Sequence, residues 1–501
     1  MHPIYRRLCC LLSALCLWGI CSRAGAQIMV WKAGQQEPRT PATETKTDPV
    51  RVLSIYSQPE SEPNLKYRFY ESAVLRQSGS SSDLLGRARL VNLQIPNAEQ
   101  LNKQYAQFAE QWSEGPVEEL LTSGAVEYLE SYEQVLKLVH AATRLSRVEP
   151  IPTVEFEGEE LELNAEEFGP IQDYRHFARL LVLQARVALA EGRLDDALDS
   201  IGSGFRLAEI CELQQPALVS KLVALAIVGL MHISLEELVQ HPDCPNLYWA
   251  LASVPDSFWS CSIALDGELA YQDKKLGSLM RPVPLDASRE EIVQRLVQTI
   301  TIMPVVFDAG SNLDRTTAQL LAGIAILLFA DNGREELREF GYSPQQIAQL
   351  SPPAVVILST QLSFSQARDR VFKWALLENQ SDRIEKELSA PFQSVRIAAR
   401  PTQILNGMLL PAIQALQSAV LRSEMTHKRL MFVEALRAHA AFHNELPQTM
   451  SDLDVLPAPL NPQTSKPFQY DRLAPNRARI VNLPTYSADR QTETNVNLRS
   501  R

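Results

Sequence analysis

Apolar residues at helical spacing, from about residue 97 to residue 443, constrain this chain more than any other feature. In successive stretches they recur in the i, i+3, i+4 and i+7 pattern that is typical of amphipathic helices packed around a core. Only 20 of the 501 residues are glycine and 45% are hydrophobic, as in a folded, helix-rich chain. The sequence therefore predicts a mainly α fold, an array of antiparallel helical hairpins with a small α+β C-terminal module.

The composition changes along the chain and divides it into five predicted segments. Residues 33–64 are rich in Gln, Glu, Pro, Thr and Ser, although Val50–Tyr56 is a candidate strand. The segments are 1–26 as a signal peptide, 27–96 as an extended or irregular lead-in, 97–400 as a helical array, 401–485 as a long helix plus a small α+β cap, and 486–501 as a frayed tail.

The N-terminus has the three-part layout of a secretory signal peptide. Arg6 and Arg7 precede the apolar run Leu8–Ile20, and small residues at Ala24 and Ala26 precede Gln27. The apolar run is shorter than the roughly 20 residues that a membrane-spanning helix needs. We therefore expect an extracytoplasmic protein, periplasmic or secreted, after cleavage near Ala26-Gln27.

The charge and the later apolar runs bear on possible partners. Removing the three arginines of residues 1–26 changes the formal charge from −11 to −14. Such an acidic chain argues against binding to nucleic acid or to anionic lipid. Leu222–Ile233 and Ala318–Ala330 are too short to span a membrane and are predicted as buried core helices. No membrane span is expected after signal cleavage.

Three cysteines remain once the predicted signal peptide is removed: Cys211, Cys244 and Cys261. Three cysteines cannot form a disulfide framework. Two alternatives stay open, one disulfide with a free thiol or three buried thiols that pack as small hydrophobic groups.

Residues 171–213 form the clearest supersecondary unit in the sequence. Small residues at Ala185, Ala188, Gly192 and Ala197 stand where two helices of a hairpin would approach closely. The unit resembles a single tetratricopeptide repeat, and one copy does not predict a solenoid with a peptide groove.

Five sequence segments are distinctive when taken together: Asn64–Arg68, Asn246–Leu251, Phe372–Trp374, Glu434–Pro447 and Pro459–Tyr470. This set resembles uncharacterised, exported, helix-rich proteins of planctomycete bacteria, and that resemblance implies no activity and no catalytic residues.

The tail alone, in which a long helix and a Leu-Pro stop precede a Pro-bounded loop and strands, resembles the globular part of type II secretion pseudopilins.

One pair of histidines has metal-ligand spacing. His439 and His443 are four residues apart and share one face of a predicted helix, with Glu445 as a candidate third ligand. The H-E-x-x-H pattern is missing, and a histidine at a helix C-terminus is also favoured by the helix dipole. We therefore weigh a metal site against a purely structural role for the pair.

We identify no catalytic residue and no cofactor from the sequence, and an enzyme is the less favoured prediction. We expect a non-enzymatic extracytoplasmic scaffold or protein-interaction protein whose partner is another protein. The alternatives are a metal-dependent hydrolase of the cell envelope and an envelope or secretion assembly factor.

Overall fold

The fold is taken from a computed structural model, which describes part of the chain. The described residues are 51–61, 68–71, 75–150, 169–275, 277, 281–284, 287–306, 314–375, 401–482 and 492–499. The predicted signal peptide lies outside these residues.

Helices make up most of the described chain, as the sequence predicts. Short 3-10 turns lie at Val117–Thr122, Asp256–Trp259 and Met450–Asp452. The helices are α1 Ser81–Leu93, α2 Ala98–Glu114, α3 Ala125–Ser131, α4 Glu133–Thr143, α5 Gly169–Ala190, α6 Leu194–Gln214, α7 Leu218–Leu238, α8 Tyr248–Ala252, α9 Ser262–Lys275, α10 Arg289–Val306, α11 Arg315–Glu339, α12 Pro344–Gln349, α13 Pro352–Ala375 and α14 Pro401–His443.

Helices α5 and α6 occupy the unit that the sequence singled out and pack against each other. The turn between them depends on Gly192, whose φ of 73° lies in the left-handed region that glycine adopts without strain. The amide of Arg193 donates to the carbonyl of Ala188 over 2.8 Å, which closes the end of α5. Ala188 and Ala197 are fully buried, in keeping with close helix packing.

The buried residues form three clusters. The largest lies mainly among α4 to α9, and a second joins α10, α11, α12 and α13. Helix α14 contributes to the first cluster through Leu430 and Ala435 and to the third through Phe432 and Leu436. The long helix therefore lies between the helical array and the C-terminal sheet.

The main sheet combines residues from both ends of the described chain. Its strands are β1 Arg51–Tyr56, β6 Gln469–Ala474, β7 Arg477–Asn482 and β8 Thr492–Arg499, in the order β1-β8-β7-β6. Strand β8 pairs parallel with β1 and antiparallel with β7. Two short ladders join β2 Gln77–Ser80 to β3 Leu145–Arg147, and β4 Leu460–Asn461 to β5 Lys466–Pro467.

Strand β8 contradicts the prediction that 486–501 is a frayed tail. Val496 lies opposite Leu53 on one side and Ala478 on the other, and both Thr494 and Val496 are fully buried. The mostly polar sequence of β8 gives little local indication of a strand. The segment is ordered because it pairs with β1, more than 400 residues earlier in the chain.

The predicted irregular lead-in, 27–96, is also wrong in part. Strand β1 agrees with the candidate strand at Val50–Tyr56, but helix α1 lies in a part of the segment for which no helix was predicted. The hydroxyl of Ser80 accepts a hydrogen bond from the amide of Asp83 and caps α1.

Helix α7 is the one described helix that is long and apolar enough to cross a membrane. Two-thirds of its apolar window is buried inside the protein. The helix is longer than the predicted run Leu222–Ile233, and its burial agrees with the predicted core helix.

Candidate functional site

The last turn of α14 presents His439 and His443 on one face, as their spacing predicts. Their ring centroids lie 4.2 Å apart with an interplanar angle of 26°. His439 is buried, whereas the side chain of His443 is 43% exposed. Helix α14 ends at His443 because Asn444 adopts a left-handed φ of 59°, after which the amide of Leu446 donates to the carbonyl of Pro475.

The third group beside the histidines is Asp454, and the prediction of Glu445 is wrong. Glu445 binds Arg472 over 2.6 Å. Asp454 follows the 3-10 turn and places Oδ1 3.4 Å from Nδ1 of His439 and Oδ2 3.2 Å from Nε2 of His443. One ligand atom from each of His439, His443 and Asp454 lies within 4.8 Å of the others.

The surroundings of His439 favour its neutral ring, which is the form that binds a cation. Burial lowers the pKa of His439, and the neighbouring His443 lowers it further. Nδ1 of His439 is buried and makes no hydrogen bond of good geometry within the described part of the chain, although Asp454 is close. A neutral imidazole with a free lone pair is a metal-binding group.

A second histidine pair, His232 and His427, was not anticipated from the sequence. Nε2 of His427 lies 2.9 Å from the carbonyl of Leu251, and its Nδ1 lies 3.2 Å from Nε2 of His232. Since a carbonyl only accepts, we assign the proton to Nε2 of His427. Burial lowers the pKa of His427 to about 4, and both rings pack among Phe205 and Trp259. This pair joins α7 to α14 as part of the core.

The three cysteines of the described chain are free and buried. Burial raises the pKa of Cys211 and Cys244 to about 12 and that of Cys261 to about 11. Buried, protonated thiols are poor nucleophiles, so these residues pack as small hydrophobic groups. The structure thus favours the second of the two alternatives for the cysteines.

Helix α11 carries an exposed apolar face, which the predicted buried core helix at Ala318–Ala330 did not anticipate. Leu320 is 65% exposed and Leu327 is 86% exposed. Between them lies Gly323, where an added Cβ would meet no heavy atom within 4 Å. Ala318 and Ala322 are buried on the opposite face.

Comparisons of the chain with protein-family models, curated proteins and solved structures find no match. The resemblances to exported planctomycete proteins and to pseudopilins remain predictions.

Proposed function

We propose that this protein is an extracytoplasmic helical scaffold that binds another protein chain through the exposed face of α11. The observation that carries the proposal is the pair of exposed leucines, Leu320 and Leu327, on either side of Gly323. Single exposed leucines are common on protein surfaces, but an apolar stripe along one helix face is typical of an interaction site.

The chemistry of this face fits a second copy of the chain. Gly323 leaves room for a leucine of a facing helix, in the way that small residues let helices approach. Two copies of this face can therefore pack against each other through Leu320, Gly323 and Leu327.

Burial of the leucines provides the main driving force for this dimer. Each leucine contributes about 1.5–3 kcal/mol when it is fully buried. Two copies bury four leucines, which gives about 6–12 kcal/mol. Association itself costs at least about 4 kcal/mol. A micromolar dissociation constant corresponds to about −8 kcal/mol, so we expect a dimer in the micromolar range or weaker.

The proposal also includes two predictions made from the sequence, the array of antiparallel hairpins and export from the cytoplasm. Helices α5, α6 and α7 follow one another through connections of three residues, which supports an array of antiparallel hairpins. The N-terminal sequence pattern supports export. Metal-dependent hydrolysis and a role in envelope assembly remain the alternative predictions.

Sedimentation velocity over a range of concentrations tests the proposal. We expect the purified chain to form dimers at tens of micromolar and Leu327→Lys to remain monomeric. Leu93→Lys is the matched control, since Leu93 is a 70% exposed leucine on α1, and it should dimerise normally.

Two outcomes would overturn the proposal. One is a chain that stays monomeric at 100-fold higher concentration than the expected midpoint. The other is a dimer that Leu327→Lys and Leu93→Lys affect equally, because the interface would then lie elsewhere.

A further inference from the structure

We propose that His439, His443 and Asp454 bind one divalent transition-metal ion of the zinc type. The three side chains come from two parts of the chain, the last turn of α14 and the segment after the Met450–Asp452 turn. A bound ion would therefore tie that segment to the end of the long helix.

The distances between the donor atoms fit a tetrahedral ion. Zinc bonds to imidazole nitrogen and carboxylate oxygen are about 2.0–2.1 Å long, so neighbouring donors in a tetrahedron are about 3.3 Å apart. One oxygen of Asp454, Oδ1, lies 3.4 Å from Nδ1 of His439 and 3.2 Å from Nε2 of His443. The two ring nitrogens are within 4.8 Å of each other.

An independent observation comes from the buried ring of His439. Its side chain is 6% exposed, and its Nδ1 is buried with no hydrogen-bond partner in the described residues. Buried polar atoms of folded proteins nearly always have a partner. This nitrogen faces the carboxylate of Asp454, so an ion between them would provide the missing interaction.

The donor set selects the class of ion. Two imidazoles and one carboxylate suit zinc and its transition-metal neighbours, whereas calcium and magnesium prefer oxygen ligands. Three protein ligands leave a fourth position for water, and the exposure of His443 and Asp454 gives solvent access to it.

Zinc titration of the purified, chelator-treated chain, followed by isothermal calorimetry, tests the site. We expect one equivalent to bind and the melting temperature to rise with zinc. His443→Gln and Asp454→Asn should each weaken binding at least about tenfold. These two residues are exposed at the helix end, so the variants should fold, which circular dichroism checks.

Glu445→Gln is the matched control, because Glu445 is the neighbouring carboxylate and contacts Arg472 instead of the histidines. It should bind zinc as the unmodified chain does. Cobalt substitution should give the absorption bands of tetrahedral nitrogen and oxygen ligation, which His439→Gln removes.

Absence of stoichiometric zinc binding would overturn the proposal, and so would binding that survives in His443→Gln and Asp454→Asn. Loss of binding in Glu445→Gln alone would show that the ligands are different. The site shares no residue with the α11 face, so its failure and the failure of the scaffold proposal are distinguishable.

Discussion

Arg437 holds three parts of the protein together at the centre of the interface between α14 and the rest of the chain. Its side chain and that of Glu434 are fully buried, and Nη1 donates to both carboxylate oxygens over 2.8 and 2.9 Å. Nη2 donates to the carbonyl of Cys244 over 2.7 Å, and Nε donates to that of Tyr56 at the end of β1 over 3.0 Å. Glu434 also accepts from the amide of Leu247.

Replacing Arg437 with methionine keeps most of the volume and removes the charge. The carboxylate of Glu434 would then be buried without its partner, and the carbonyls of Tyr56, Cys244 and Pro245 would lose a donor. Removing one member of a buried ion pair costs about 3–5 kcal/mol. We expect urea denaturation to show a loss of this size in the free energy of unfolding. Arg479→Met is the control, since its pair with Asp471 is 39% exposed on both sides and contributes at most about 1 kcal/mol.

The pH dependence of this loss identifies its cause. Burial raises the pKa of Glu434, and Arg437 opposes that rise. Without Arg437 the folded pKa rises further above the unfolded value. The carboxyl then destabilises the fold increasingly as pH rises from the unfolded pKa to the folded pKa, and by the full amount above it. The deficit of Arg437→Met relative to the unmodified chain should therefore shrink as pH falls.

The double variant Glu434→Gln with Arg437→Met removes both charges and should recover part of the lost stability at neutral pH. The reasoning is refuted if Arg437→Met loses less than about 1 kcal/mol, no more than an exposed pair contributes. It is also refuted if the double variant is less stable than Arg437→Met alone.

Three further predictions concern stability. The pKa of His427 is about 4 in the folded chain and 6.5 in the unfolded chain, so its burial should lower the free energy of unfolding by about 3 kcal/mol between pH 6.5 and pH 4. Urea denaturation of His427→Gln should show a correspondingly weaker pH dependence of stability. An alanine Cβ at Gly267 would lie 1.9 Å from the carbonyl oxygen of Pro216, so Gly267→Ala should lower stability by about 1–3 kcal/mol. A Cβ at Gly229 would meet no heavy atom within 4 Å, so Gly229→Ala should raise stability by up to about 1 kcal/mol. Thermal melts measure both changes. Deleting 492–501 should leave β1 without the strand it pairs with and expose the edge of β7 that β8 covers, so the variant should aggregate on size-exclusion chromatography; a deletion variant as stable as the full chain would contradict the role of β8.

The histidine cluster shows how far local pattern reaches. The i, i+4 spacing predicted that His439 and His443 share a face, because helix geometry alone sets that relation. The third group was assigned to Glu445 because it is close in sequence. The left-handed turn at Asn444 sends Glu445 to Arg472, and the returning segment brings Asp454 instead. The approach of Asp454 to the end of α14 depends on the path of the chain after the turn, and no periodic sequence pattern predicts it.

The sequence alone determined where the main helices lie, since apolar periodicity and helix caps act over a few residues. Only the tertiary structure decided which apolar face of α11 meets the core and that β8 is an ordered strand. In α11 Ala318, Ala322 and Gly333 face the core, and Gly333 lies so close to Val355 and Ser359 of α13 that an added Cβ would meet both. Strand β8 is ordered because it forms hydrogen bonds with β1, and the polar sequence of β8 by itself does not indicate that pairing.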